Sequence, residues 1–143
     1  MISKIQEFDK RVSFSVLKFH KYKALNKMMI FISSCGNAGL SWMIVIALLY
    51  YKVKTRYISF YVLLALIVAT LIGQITIKSI VRRKRPCHTY TDVEMLIPVP
   101  SDLSFPSGHT TSSFACSTAL FIFHPFFGTI GYIYAALTAI SRV

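Results

Sequence analysis

Apolar residues in this sequence occur in long runs that are separated by short polar connectors. A helix needs about 20 apolar residues to cross the core of a bilayer, and four runs approach or exceed that length. They cover residues 24–51, 57–81, 107–126 and 128–143, and the last is the shortest. The pattern predicts an all-α fold, a multi-pass transmembrane helical bundle, forming one domain over residues 1–143 that is incomplete at its C-terminus.

Residues 3–22 show a different pattern, in which apolar residues recur at spacings of three or four between charged and polar ones. The apolar positions are Ile5, Phe8, Val12, Val16 and Phe19. This spacing predicts an N-terminal amphipathic helix with one apolar stripe. Two placements stay open: the helix lies in the membrane interface with its lysines toward the headgroups, or it packs against the bundle.

The first long run is interrupted by small and polar residues over residues 33–39. Gly36 and Asn37 in this stretch favour a break in the chain. Residues 24–51 therefore form either one long spanning helix, or a short helix, a break and a span that begins at about Leu40.

The connector that follows is basic and contains Lys52, Lys54 and Arg56. Cytoplasmic connectors of membrane proteins carry an excess of Lys and Arg, so this one is predicted to face the cytoplasm. The run over residues 57–81 then ends at the outer face of the cell membrane. In that orientation the lysine-rich N-terminus lies outside, unless residues 3–35 form a hairpin or the N-terminal helix crosses the membrane.

Composition supports the membrane assignment. Hydrophobic residues make up 55% of the chain, charged residues make up 15%, and the mean hydropathy is +0.58. The formal net charge is +11, but no nucleic-acid recognition motif accompanies it. Anionic headgroups, membrane orientation and a phosphate-bearing substrate explain the basic residues better. Cys35, Cys87 and Cys116 form no CxxC pair, and we expect no metal site.

A first candidate site begins at Lys78, near the end of an apolar run, where an ionisable group is costly and usually functional. If the helix continues, Lys78, Arg82 and Arg85 share a face, and Pro86 predicts that the helix ends near Arg85. Arg can hold phosphate oxygens with two hydrogen bonds, and Lys adds a point charge. The alternative is an ordinary basic flank that reaches toward headgroups.

A second candidate lies where the polar loop over residues 82–105 enters the next run, at Pro106, Ser107, Gly108 and His109. Ser107 is a good N-cap, and Gly108 lets a ligand approach the backbone. The N-terminus of the helix attracts an anion, and His109 can donate or accept a proton. The alternative is a capped helix with an incidental histidine.

Ser141 and Arg142 form a third candidate near the end of the last run. If that run leads outward, Arg142 reaches the membrane face of the other two candidates. A side chain that extends to the headgroups is the alternative.

The order and spacing of these residues resemble the type 2 phosphatidic acid phosphatase family, which shares its site with vanadium haloperoxidases. The family's first motif is Lys, six residues, Arg-Pro, and it matches from Lys78 to Pro86. Its second motif is Pro-Ser-Gly-His, which matches from Pro106 to His109. Of the third motif, Ser-Arg, five residues, His, three residues, Asp, the sequence contains Ser141 and Arg142. The resemblance covers roughly residues 57–143.

The resemblance implies a metal-independent membrane phosphatase without a cofactor. Its substrate would be phosphatidic acid, phosphatidylglycerol phosphate or an isoprenyl diphosphate such as undecaprenyl diphosphate, bound at the outer face. His109 would protonate the leaving lipid oxygen. The residues that would hold the phosphate are Lys78, Arg85, Ser107, Gly108 and Arg142.

The family's nucleophile is the histidine of the third motif, which forms a phospho-histidine intermediate. That histidine and the Asp that orients it have no counterpart in the sequence, which ends at Val143. We therefore expect the 143-residue chain to be an inactive piece of an active parent. The alternative from another class is a non-catalytic membrane protein that binds anionic lipid phosphates through the same cations.

Overall fold

The structure is a computed structural model, and it describes residues 22–35, 39–83 and 103–141. Within these ranges all regular secondary structure is helical, which confirms the all-α part of the predicted fold. The predicted amphipathic helix over residues 3–22 lies, except for its last residue, outside the described residues.

Six α-helices and one π-helical segment make up the described chain. They are α1 (Lys23–Cys35), α2 (Leu40–Tyr51), α3 (Arg56–Thr70), the π-helical segment (Leu71–Ile77), α4 (Lys78–Val81), α5 (Gly108–Phe123) and α6 (Pro125–Ser141). A short 3₁₀ turn leads directly into α3, and α3 continues into the π-helical segment and α4. These four elements together form one long helix, Val53–Val81.

The first long apolar run contains two helices, α1 and α2, rather than one. Gly39 precedes α2 with a φ angle of 71°, in the left-handed region that glycine adopts without steric cost. The described residues fit the alternative in which a second helix begins at Leu40, while the passage of that 12-residue helix through the membrane stays a prediction.

The long helix has 29 residues, and it is the one helix in the described ranges that is long and apolar enough to cross a membrane. The apolar helices α2 and α6 are shorter, with 12 and 17 residues, and α5 has 16. Several passes through the membrane therefore stay a prediction, while one helix of spanning length is present.

The core lies between α2, the long helix and α5. Its buried apolar residues are Trp42, Ile46, Ile58, Val62, Cys116 and Leu120. Small hydroxyl residues complete it, and the indole N–H of Trp42 donates to Ser113 Oγ at 3.2 Å. Because lipid tails are as apolar as leucine, helices in membranes associate through close packing of small residues and hydrogen bonds, and this core has both.

Helices α5 and α6 pack closely near the turn that joins them. A Cβ atom at Gly128 would lie 2.2 Å from Phe121 Cα, and one at Gly131 would lie 2.7 Å from Ser117 Oγ. The two backbones can approach this closely only because glycine has no side chain. This contact holds α5, which begins at Gly108, against α6, whose described residues run to Ser141.

The predicted end of the long helix near Arg85 is wrong, since the helix ends at Val81. Arg82 takes a left-handed conformation, with a φ angle of 46° and a ψ angle of 35°, and its Nε donates to Ser79 O at 2.9 Å. The carbonyl of Arg83 then accepts the backbone N–H of Ser104 at 2.8 Å instead of continuing the helix. Arg82 therefore does not extend the helical face that carries Lys78.

Candidate functional site

The end of the long helix and the start of α5 lie side by side. Ser104 N–H donates to Arg83 O at 2.8 Å, and Gln74 Nε2 donates to Pro106 O at 3.5 Å. Arg83 comes after Lys78 in the chain and Gln74 comes before it. The structure thus brings the Lys78 region and the Pro106–His109 turn to the same end of the molecule.

Ser107 is the N-cap of α5 by position, with an extended ψ angle of 119°. Its carbonyl accepts both the backbone N–H and the hydroxyl of Thr111, each at 2.9 Å. Its own hydroxyl makes no capping hydrogen bond and instead receives the Thr110 hydroxyl at 3.2 Å. The predicted N-cap is therefore correct in place, but the Ser107 side chain does not occupy the backbone N–H groups of the first turn.

A buried serine makes hydrogen bonds to the backbone of the first turn of α5. Ser112 Oγ donates to Gly108 O at 2.8 Å and to His109 O at 3.2 Å. These hydrogen bonds fix the backbone that carries the half-buried His109 side chain. A helix N-terminus has a partial positive charge, so this turn can receive an anion.

Lys78 is half-buried at the junction of the π-helical segment and α4. Its Nζ donates to Gln74 Oε1 at 2.9 Å, and its backbone N–H donates to Gly73 O. π-Helical turns are rare and often occur at functional sites. The ammonium group is thus held by Gln74, whose amide also contacts Pro106 at the start of the Pro106–His109 turn.

A cation, a helix N-terminus and a histidine in one region can bind a phosphate group and move a proton to or from it. Four of the predicted site residues are described, namely Lys78, Ser107, Gly108 and His109, and they lie at this end. Arg85 and Arg142 lie outside the described residues. Helix α6 ends at Ser141, whose hydroxyl donates to Thr138 O at 2.8 Å.

Sequence reasoning missed Gln74, which links the two motifs. The side chain is polar in an otherwise apolar run and lies four positions before Lys78, where a helical neighbour is expected. That spacing was a usable signal. Its contact with Pro106 joins residues 32 positions apart, and no local pattern reveals it.

Across residues 22–35, 39–83 and 103–141, no group of three His, Cys, Asp or Glu side chains could hold a metal ion. The expectation of metal-independent chemistry stays a prediction, to be tested with a chelator.

More than half of the chain matches the model of one protein family. The model of the PAP2 superfamily matches residues 58–143. These residues begin in α3 and include the π-helical segment, the Pro106–His109 turn, α5 and α6.

Two curated proteins are similar over most of the chain. The undecaprenyl-diphosphatase of Sulfolobus acidocaldarius is 29% identical over 91% of this chain and 63% of its own length. The bacitracin transport permease protein BcrC of Bacillus licheniformis is 30% identical over 86% of this chain and 60% of its own length. The chain therefore spans less than two thirds of the curated relatives that it matches.

A solved structure shares the fold. The chain superposes with a TM-score of 0.73 on the crystal structure of a transmembrane PAP2-type phosphatidylglycerolphosphate phosphatase from Bacillus subtilis. The sequences are 25% identical, and the match covers 97% of this chain and 72% of the other.

Proposed function

The chain belongs to the PAP2 superfamily, and we propose that the protein is an integral membrane phosphatase for lipid phosphate monoesters or isoprenyl and other lipid diphosphates. Its similarity to a transmembrane PAP2-type phosphatase makes it a membrane protein. The observation that carries the proposal is the link that Gln74 makes between Lys78 and the Pro106–His109 turn, at one end of an apolar helix of spanning length.

The proposed chemistry assigns the positive groups to the phosphate. Lys78, Arg85 and Arg142 hold its oxygens and stabilise the charge that develops in the transition state. Ser107 and Gly108 add contacts at the positive end of α5. His109 protonates the leaving lipid oxygen as that bond breaks.

The proposed nucleophile is the histidine of the family's third motif, of which this sequence contains Ser141 and Arg142. Experiments on turnover use a chain extended through the histidine and the Asp of that motif, called the full-length protein below. The expectation that residues 1–143 alone do not turn over substrate stays a prediction, and it is checked by assaying that chain beside the full-length protein.

The names of the relatives guide the choice of substrate. One similar protein is an undecaprenyl-diphosphatase and the solved structure is a phosphatidylglycerolphosphate phosphatase. Both substrates place a phosphate group on a lipid anchor. A site at the end of a membrane-length helix fits such a molecule, because the anchor can stay in the bilayer while the phosphate reaches Lys78.

The test is release of inorganic phosphate by the full-length protein in detergent with a chelator present. Undecaprenyl diphosphate, phosphatidic acid and phosphatidylglycerol phosphate are compared with glycerol phosphate, which has the same ester but no lipid anchor. We expect release from at least one lipid and little from glycerol phosphate. Lipid binding without any release would contradict the proposal and favour the non-catalytic lipid-binding protein.

Arg85→Lys is expected to lower kcat/KM of the full-length protein by about 10- to 100-fold, because Lys keeps the charge but lacks the planar fork that bonds two phosphate oxygens. Arg56→Lys is the matched control. Arg56 lies at the other end of the long helix, where its guanidinium is 5.0 Å from the centre of the Tyr50 ring. Unchanged kcat/KM in Arg85→Lys would exclude a bidentate phosphate contact at that position.

The proposed orientation, with the site at the outer face, predicts the accessibility of single cysteines. Lys54 and Arg83 are exposed near opposite ends of the long helix. In intact cells of a variant without native cysteines, a membrane-impermeant maleimide is expected to label Arg83→Cys and not Lys54→Cys. Labelling of Lys54→Cys alone would indicate the opposite orientation. Permeabilised cells, in which both positions should react, provide the control.

A further inference from the structure

The Gln74 side chain contacts both halves of the site. Its Oε1 accepts Lys78 Nζ at 2.9 Å, and its Nε2 donates to Pro106 O at 3.5 Å. A carboxamide can make both hydrogen bonds together because it has an acceptor on one atom and two donors on the other. One neutral group thus joins the cation of the long helix to the loop that leads into α5.

The backbone around Gln74 is shaped for this contact. Gly73 is buried, and a Cβ atom there would lie 3.3 Å from Thr111 Cγ2 and 3.7 Å from Pro106 Cγ. The long helix therefore lies directly against the start of α5 at the π-helical segment. The wider turn of this segment separates Gln74 from the regular α-helical register on either side of it.

Gly108 lies directly against the side-chain amide of Gln74. A Cβ atom at Gly108 would lie 2.9 Å from both Cδ and Nε2 of Gln74. A side chain at position 108 would consequently displace the amide, and with it the acceptor that holds Lys78. The glycine of the Pro-Ser-Gly-His motif thus has a second use, which is to leave room for Gln74.

We propose that Gln74 is a positioning residue, which holds the Lys78 ammonium group against the Pro106–His109 turn so that both meet the same phosphate group. The inference rests on the proposed function and adds a residue outside the three motifs. A free lysine side chain has many rotamers, and restricting it before the ligand arrives reduces the entropy lost on binding. An amide does so without neutralising the charge, which a carboxylate at this position would do.

The test replaces Gln74 with leucine, which has a similar size and no hydrogen-bonding group. We expect Gln74→Leu to lower kcat/KM of the full-length protein by about 10- to 100-fold, as for the loss of a hydrogen bond to a charged group. Thr76→Val is the matched control, because Thr76 is exposed on the same segment and its hydroxyl donates to Leu71 O at 3.3 Å, within its own helix. The control is expected to behave as wild type.

A double-mutant cycle separates positioning from a general effect on structure. In a Lys78→Met background, adding Gln74→Leu is expected to change kcat/KM by less than about twofold, since the group that Gln74 positions is gone. A loss of equal size in both backgrounds would overturn the positioning role. If Gln74→Leu does not fold, Gln74→Asn, which is one methylene shorter, takes its place in the cycle.

A binding measurement makes this inference independent of turnover. Orthovanadate mimics phosphate, and calorimetric titration of the full-length protein gives its Kd. Gln74→Leu should raise this Kd about 10-fold or more. Equal Kd values, or no binding by wild type, would overturn the inference. Absence of hydrolysis by wild type, with a weakened Kd in Gln74→Leu, would overturn the proposed function and leave the positioning role supported.

Discussion

Replacing His109 with alanine is expected to lower kcat of the full-length protein on phosphatidic acid by about 10²- to 10⁴-fold, the range of general acid catalysis. His109 lies in the first turn of α5, whose backbone is fixed by the Ser112 hydroxyl at 2.8 Å from Gly108 O. The hydrogen bonds from Ser112 to this turn and from Lys78 to Gln74 do not involve the imidazole. The variant should therefore still bind the lipid phosphate, with kcat reduced far more than KM changes.

His124→Ala provides the matched control. His124 lies between α5 and α6, and its ring packs edge-on against Phe127 with the two ring centres 6.0 Å apart. The same chemical change at that position should leave kcat within about twofold of wild type. Wild-type turnover by His109→Ala, with His124→Ala equally active, would remove His109 from the proposed mechanism.

Comparing two substrates tests the role of His109 as an acid more sharply. Hydrolysis of phosphatidic acid releases a lipid alcohol, and its leaving oxygen is strongly basic and needs a proton. Undecaprenyl diphosphate releases a phosphate oxygen, which is much less basic and needs less help. The loss caused by His109→Ala should accordingly be larger for phosphatidic acid. Equal losses on both substrates would indicate that His109 binds the phosphate rather than protonating the leaving oxygen.

Gly128→Ala is expected to destabilise the fold by at least about 3 kcal/mol, the upper end of the usual cost of overpacking. The new Cβ would lie 2.2 Å from Phe121 Cα and 2.6 Å from Phe121 N. These are backbone atoms of α5, so relief requires the two helices to separate. Alanine favours a helix over glycine by only about 1 kcal/mol, which does not offset this cost.

The measurement is the midpoint temperature for loss of the monodisperse peak in detergent. Gly131→Ala should show a smaller decrease, since its nearest contact is a side-chain atom, the Ser117 hydroxyl at 2.7 Å, and the Cα atom of Ser117 is 3.4 Å away. Thr129→Ala, at an exposed position next to Gly128, should be unaffected. A Gly128→Ala variant as stable as Thr129→Ala would show that α5 and α6 do not pack as closely as described.

Helix positions could be predicted from the sequence because they depend on local patterns. The apolar run over residues 57–81 and the small, polar stretch over residues 33–39 mark the long helix and the break before α2. The N-cap position of Ser107 was also readable from its place before Gly108. In each case a run of neighbouring residues carries the information.

The parts that sequence reasoning missed depend on contacts between distant residues. The long helix ends at Val81 because Arg82 turns into the left-handed region and Arg83 O accepts Ser104 N–H, a partner 21 positions away. Gln74 joins the site through Pro106 in the same way. The pattern of local propensities, including the effect of Pro86, indicates where a helix can end, and tertiary hydrogen bonds decide where it does.

The candidate site was predicted from its motifs, while its geometry could not be. The family resemblance predicts that Lys78 and His109 belong to one site, and that assignment stays a prediction. The sequence offered no reason to expect that Gly108 leaves room for an amide as well as for a ligand. That second role depends on the π-helical segment, whose irregular turn has no simple sequence signal.

A phosphatase of the proposed kind removes the phosphate group from its lipid through a covalent histidine intermediate, so a histidine carries the phosphate during turnover. The most direct measurement mixes the full-length protein with radiolabelled undecaprenyl diphosphate, quenches it within one turnover, and maps the labelled residue. We expect an acid-labile, base-stable phosphate on a histidine other than His109, together with labelled phosphate in solution. Release of phosphate without a labelled protein, or a label on His109, would contradict it.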